Sequence, residues 1–175
     1  MKIVLATPLY PPDIAEPAPY IKELAKRLST LHEVTIVTYG RLPEKIPGVS
    51  IVAVDKRQPI IPRLRAYWSA LRRAAKDAHV VYAENGASVE LPVFFISSHL
   101  IFHIGDKKAH GRTKHNLLRY LLEKLVCTRA RTVLKGSPLP RPEIIPFEKP
   151  PALDAYEASW QSHMTQVTDA LSHAK

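Results

Sequence analysis

The chain has 175 residues, of which 46% are hydrophobic, and these figures fit a single globular domain with a filled core. Only six glycines and no internal repeat exclude collagen-like and low-complexity proteins, although 16 prolines are many for this length. A single cysteine, Cys127, excludes an intrachain disulfide and is typical of the cytoplasm, where we expect this protein. The apolar run at residues 2–6 is too short for a signal peptide, and no stretch is long enough to cross a membrane.

The formal net charge of +9 is unevenly distributed along the chain. Residues 56–76 include seven basic residues and no acidic one, and residues 107–141 include ten basic residues and only Glu123. Such a field attracts phosphates, whether they belong to nucleic acid, a membrane surface or a phosphorylated small molecule. Nucleic acid is the least favoured of these partners, because no reader motif or stacking platform accompanies the charge.

Strand-like and helix-like segments alternate along the chain. Short apolar runs rich in β-branched residues predict six strands, at 2–6, 33–38, 49–54, 79–82, 100–104 and 131–134. Apolar residues at three- and four-residue spacing predict five helices, at 17–29, 62–78, 88–97, 113–128 and 152–174. In the second helix the apolar stripe includes Leu64, Trp68 and Leu71, which predicts that Trp68 lies in the core.

This alternation, with strands that are apolar throughout, is typical of a parallel sheet covered by helices on both faces. We therefore predict an α/β fold, a single Rossmann-like doubly wound domain with a mainly parallel sheet of six or seven strands. The domain is expected at residues 1–145, followed by a proline-rich connector at 146–151 and a C-terminal helix at 152–175 that packs back on it. Ligands of such folds bind at the carboxyl ends of the strands.

Several stretches of the chain carry a resemblance to one family. They are KIVLATPLYPPD at 2–13, PAPY at 17–20, HEVTIVT at 32–38, HVVYAENG at 79–86 and HIGD at 103–106. Together they resemble the N-terminal, acceptor-side domain of family 4 glycosyltransferases, which have the GT-B fold. The resemblance covers about residues 2–145 and is strongest at the start of the chain.

The resemblance implies a transferase without its donor-binding half. Family members hold the nucleotide-sugar mainly in a second Rossmann-like domain with an E-x7-E motif, and no two glutamates here have that spacing. The chain thus looks like the acceptor-side half of a sugar transferase, inactive alone and completed by a separate donor-binding subunit. The alternative is a noncatalytic Rossmann-like module, derived from a glycosyltransferase, that binds a partner or forms a homodimer.

The resemblance also implies where a donor and a catalytic group would lie. Ala15 and Glu16 stand where the family has two glycines against the donor diphosphate, so either the donor binds differently or Glu16 points elsewhere. Lys135, just after the sixth strand, is a candidate phosphate contact or a residue of a solvated basic loop. Asp106 is the catalytic candidate, because it could orient an acceptor hydroxyl, and a turn-forming role is the alternative.

For the acceptor, the candidate substrate-binding residues lie after the first and fourth strands: Tyr10, Glu84, Asn85 and Gly86. Asn85 and Gly86 also form a common turn dipeptide. We expect no cofactor and no metal, because His99 and His103 lack an obvious third ligand.

The expected partners follow from the same resemblance and from the charge. They are a saccharide or lipid-linked acceptor, and either a donor-binding transferase subunit or a second copy of the chain. An anionic membrane on its inner face is a further candidate, because Arg65, Arg72 and Arg73 lie on the same predicted helix as Trp68.

Overall fold

The computed structural model describes residues 1–105, 117–138 and 153–173. Its strands are β1 (Lys2–Ala6), β2 (Glu33–Tyr39), β3 (Val49–Val54), β4 (Val80–Glu84), β5 (His99–Ile104) and β6 (Thr132–Lys135). Its helices are α1 (Ala18–Leu28), α2 (Ile60–Ala75), α3 (Ala87–Phe94), α4 (Leu117–Arg129) and α5 (Leu153–Ser172). None of these helices is long and apolar enough to cross a membrane.

All six strands form one parallel sheet in the order β3-β2-β1-β4-β5-β6. The order reverses between β1 and β4, which creates the crevice position where doubly wound sheets bind ligands. The predicted α/β fold, with a six-stranded parallel sheet and a C-terminal helix, is therefore confirmed.

Two hydrophobic cores lie on opposite faces of the sheet, because successive residues of a strand point to opposite sides. Ile3 and Leu5 of β1 pack into the core beneath α1 and α5, whereas Val4 and Ala6 pack into the core beneath α2, α3 and α4. The sheet is thus covered by two helices on one face and by three on the other.

Helix α5 packs a long apolar stripe on the first of these cores. Tyr156, Trp160, Val167 and Leu171 are all at most 4% exposed. Arg27 of α1 joins this contact, because its guanidinium donates to Glu157 at 3.0 Å and lies 5.0 Å from the centre of the Trp160 ring. The C-terminal helix is therefore an integral part of the core.

The prediction that Trp68 lies in the core is wrong, since Trp68 is 38% exposed and Tyr67 is buried in its place. The Tyr67 ring stacks on Tyr39 at 4.3 Å, and its hydroxyl donates to the carbonyl of Val37 at 3.1 Å. Two apolar stripes overlap on α2, and the contact with β2 selects the stripe that contains Tyr67. Trp68 lies instead on the solvent side of the helix.

Candidate functional site

A crevice of about 470 Å³ opens where the strand order reverses. The loop after β1 forms one wall with Pro8 and Glu16, and the start of α3 forms another with Gly86 and Ser88. Cations from the β3–α2 connection and from the first turn of α2, described next, also line it. The crevice therefore combines segments that are far apart in sequence.

Among the described residues, Lys56 and Arg63 are the cations that line the crevice. Lys56 forms an ion pair with Asp13 at 2.5 Å, which neutralises much of its charge. Arg63 donates one hydrogen bond to the carbonyl of Lys56 at 2.9 Å, and its guanidinium lies 5.9 Å from the centre of the Tyr39 ring. Within the described residues no carboxylate pairs with Arg63, so most of its five N–H donors have no acceptor among these residues.

Helix α3 directs its N-terminus at the crevice. The N–H of Gly86 donates to Glu90 at 3.1 Å, and the N–H groups of Val89 and Glu90 both donate to the carbonyl of Gly86. The N–H groups of Ala87 and Ser88 belong to the first turn, which has no acceptor within the helix. They add a partial positive charge to the same wall.

Gly86 allows the two walls to approach each other closely. A Cβ atom at this position would lie 3.0 Å from Cγ of Pro8, which is tighter than almost all real contacts. The absence of a side chain therefore lets the loop after β1 pack directly against the start of α3.

Beneath this region, Glu84 and His103 form a fully buried pair on neighbouring strands. Nδ1 of His103 lies 2.7 Å from Oε1 of Glu84, and Nε2 donates to the carbonyl of Gly136 at 2.7 Å. Burial lowers the pKa of His103, but the charge and hydrogen bond of Glu84 and the carbonyl of Gly136 outweigh burial and raise it. We therefore assign an imidazolium and a carboxylate to this pair.

An aromatic network connects the pair to helices α1 and α5. The Tyr20 ring stacks on His103 at 4.7 Å, and the Tyr20 hydroxyl lies 2.6 Å from that of Tyr82 and 2.7 Å from Nε2 of His163. Burial and the charge of His103 lower the pKa of His163 to about 4, so its ring is neutral at neutral pH. In the tautomer with Nε2 unprotonated, His163 accepts from the Tyr20 hydroxyl, and Tyr82 then donates to Tyr20.

These buried groups hold the sheet and both covering helices together, but they are closed to solvent. Glu84 and His103 have no exposed side-chain surface, so they cannot contact a substrate in this conformation. Among residues 1–105, 117–138 and 153–173, no cluster of three or more His, Cys, Asp or Glu side chains could hold a metal. The chemistry open to a ligand is therefore that of the crevice above the pair.

The neutral state of His163 predicts an acid-sensitive fold. In the unfolded chain a histidine has a pKa of about 6.5, so between about pH 6.5 and 5 the unfolded state binds a proton that the native state excludes. The unfolding free energy should therefore fall as the pH falls through this range. We expect His163→Gln to flatten this dependence, as measured by urea unfolding across the range.

Gln161→Ala, at an exposed and non-titrating position of the same helix, provides the control and should leave the slope unchanged. His103 has the opposite dependence, because its raised pKa makes its stabilising contribution complete below the unfolded pKa of about 6.5 and lost as the pH rises. An equal slope in wild type and His163→Gln would contradict the burial of a neutral ring.

The crevice brings together Glu16, Asn85 and Gly86, three of the residues that sequence analysis proposed. Asn85 is 1% exposed, so only a small part of it is accessible to a ligand. Glu16 stands on the wall opposite the start of α3, and its negative charge contributes to the raised pKa of His103.

Four of the other proposed residues lie outside the crevice. Ala15 is exposed beside the crevice, and Lys135 is exposed on β6, two strands away from β4. Glu84 is fully buried in its pair with His103. Tyr10 is buried in the core on the α1 side, where burial and then the charge of Glu44 raise its pKa to about 12. Asp106, the catalytic candidate, lies outside the described residues.

Sequence analysis missed Lys56 and Arg63 as site residues and missed the pairing of Glu84 with His103. A signal for the pair was present, because each residue interrupts an apolar strand near its carboxyl end. For Lys56 and Arg63 no local signal exists, since their position depends on how the β3–α2 connection crosses the sheet edge.

No protein-family model and no curated protein matches the sequence. Among solved structures, the chain is similar to the C-terminal domain of the coenzyme A biosynthesis bifunctional protein CoaBC, with 14% sequence identity and a TM-score of 0.55. The similarity covers 98% of this chain and 96% of that one. At this identity it shows a shared fold and nothing more.

The resemblance to family 4 glycosyltransferases is therefore wrong, because the structural similarity leads to a different protein and extends through the C-terminal helix. The expected half-transferase and the module derived from a transferase are withdrawn with it. The motif that misled consists of a buried strand, a proline-containing loop and an amphipathic helix. Many parallel α/β folds begin in this way, so the motif is not specific to one family. What the chain shares with its structural neighbour is a Rossmann-like α/β fold.

Proposed function

We propose that this chain is a ligand-binding domain whose crevice between β1 and β4 holds a small molecule with an anionic group, most naturally a phosphate. The observation that supports this most directly is Arg63, which lines the crevice with most of its donors unused by the described residues. The crevice volume of about 470 Å³ lies within the range of small-molecule sites.

The two walls of the crevice differ in charge, so each wall suits a different end of such a ligand. Arg63 and the first N–H groups of α3 offer hydrogen bonds to phosphate oxygens, and a guanidinium can bind them in pairs. Glu16, on the other wall, repels a second anion but accepts hydrogen bonds from hydroxyl or amino groups. A phosphate joined to a sugar or an amine, as in a nucleotide, fits both walls.

The structural neighbour is consistent with this choice of ligand. Its name places it in coenzyme A biosynthesis, and coenzyme A is a nucleotide that carries phosphates. ATP and coenzyme A are therefore suitable probes, with inorganic phosphate as the smallest anion.

Isothermal titration calorimetry with these probes tests the proposal. We expect ATP or coenzyme A to bind with a dissociation constant below about 100 μM. Arg63→Gln should weaken binding about tenfold or more, because it removes the charged donors, which corresponds to about 1.4 kcal/mol. Lys45→Gln, at an exposed residue outside the crevice, should leave binding unchanged.

Two results would contradict the proposal. One is the absence of binding by both nucleotides at about millimolar concentration. The other is binding that Arg63→Gln and Lys45→Gln weaken to the same extent, which would indicate a general attraction to a basic protein.

A further inference from the structure

The exposed apolar side chains are concentrated on one face of the molecule. Of the fourteen large apolar side chains exposed in the described residues, nine lie on α2, α3 or α4 or at the end of α3. They include Ile61 and Phe95, which are 67% and 63% exposed, and Leu121 of α4, which is 48% exposed. Because these helices cover the same side of the sheet, their exposed residues share its outer surface, which we term the outer face.

The exposed charges on the outer face are mainly positive, and the acidic exceptions among the described residues are Asp77, just after α2, and the half-buried Glu123 of α4. Helix α2 contains no acidic residue and exposes Arg65, Arg72 and Arg73. In α3 the one acidic residue is Glu90, which is 1% exposed and therefore contributes little to the surface. The outer face is thus apolar and basic together.

Two side-chain pairs on this face join an aromatic ring to a cation. On α2 the guanidinium of Arg72 lies 5.7 Å from the centre of the Trp68 ring, and on α4 the ammonium of Lys124 lies 5.5 Å from that of the Tyr120 ring. Tryptophan and tyrosine have an apolar body and a polar tip, which suits them to the boundary between water and lipid.

A groove of about 300 Å³ runs between α2 and α3 within the outer face. Its lining is apolar apart from Arg65 at the rim, and it includes Leu64, Leu91 and Phe95. A space of this size and chemistry accommodates part of an acyl chain beside a cation.

We propose that the outer face of the α2–α3–α4 layer docks on an anionic lipid surface. In a dimer formed through this face, Arg65 and Arg72 of one copy would meet the basic surface of the other copy. The repulsion between like charges makes this contact unfavourable. A single peptide would occupy the groove alone and leave the exposed residues of α4 uncovered, whereas a bilayer covers all three helices. This docking is independent of the ligand bound in the crevice.

Vesicle co-sedimentation of the full chain at low salt tests the proposal. We expect binding to phosphatidylcholine vesicles that contain about 30% phosphatidylserine, at least about tenfold tighter than to phosphatidylcholine alone. Arg65→Glu/Arg72→Glu should weaken binding about tenfold or more. Trp68→Ser/Phe95→Ser should weaken it comparably, because the apolar insertion is lost.

Lys26→Glu/Lys45→Glu is the matched control, because it changes the net charge equally on the α1 side of the sheet. It should retain binding, and circular dichroism should show that all variants are folded. Trp68 gives an independent signal, since its fluorescence should shift to shorter wavelength on docking, whereas Trp160, 2% exposed, is already shielded from water.

Three outcomes would overturn the proposal. The first is no binding to the anionic vesicles, and the second is an equal loss of binding in the control variant. The third is a dimer in analytical ultracentrifugation that Phe95→Ser dissociates, which would assign the outer face to a second copy.

Discussion

Truncation of the chain after Pro151 is expected to abolish cooperative unfolding, because α5 completes the core on one face of the sheet. The removed helix buries Tyr156, Trp160, Val167 and Leu171, each of which contributes roughly 1.5–3 kcal/mol. Their sum approaches the whole stability of a typical domain, about 5–15 kcal/mol. Differential scanning calorimetry should show no sharp transition in the truncated protein.

A point variant tests the same contact without removing the helix. Trp160→Ala should lower the unfolding free energy by about 3–5 kcal/mol, because it leaves a cavity beneath Arg27 and Tyr20. Gln161→Ala, at an exposed position of the same helix, should change it by less than about 0.5 kcal/mol. A truncated protein that melts like the full chain would show that α5 does not belong to the core.

Replacement of Glu84 by leucine is expected to destabilise the fold by about 3–5 kcal/mol at neutral pH, because it leaves the buried His103 without its counter-charge. Part of this cost arises as the ring releases its proton and loses one of its two hydrogen bonds. Urea unfolding at constant protein concentration measures the difference, provided that the slope with urea is unchanged.

The double variant Glu84→Leu/His103→Leu decides whether charge is the cause. With both charges removed, much of the lost stability should return, since an apolar pair of similar volume is often as stable as a buried ion pair. The carbonyl of Gly136 loses its donor in this variant, so recovery should fall short by about 1–3 kcal/mol. A double variant at least as unstable as the sum of the single variants would show that the two residues act independently.

The strands and helices could be predicted closely from the sequence because their signals are local. β1 and β3 have the predicted bounds, and each end of the other strands lies within two residues of its predicted position. Runs of apolar β-branched residues indicate strands that are buried on both faces. Their alternation with amphipathic helices indicates a parallel sheet. The packing of the C-terminal helix was recognisable for the same reason, because its apolar residues recur at helical spacing.

The crevice could be predicted only in part. Its position at the carboxyl ends of the strands follows from the fold class, and Glu16, Asn85 and Gly86 were found there because they follow β1 and β4 directly. Lys56 and Arg63 were missed, since the β3–α2 connection and the first turn of α2 that carry them reach the crevice only once β2 lies between β3 and β1. The family assignment failed because the motif that supported it is common to many parallel α/β folds.

The sequence by itself thus determined the fold class, the number and order of the elements and the apolar stripe of α5, because periodicity and burial act over a few neighbouring residues. Only the tertiary structure decided that Tyr67 rather than Trp68 enters the core, because both rings lie about one helical turn before Leu71 and contact with β2 selects one. Only the sheet register places Glu84 beside His103, since residues 19 positions apart become neighbours when β4 pairs with β5. The composition of the site and of the outer face depends on these long-range contacts, which no local pattern encodes.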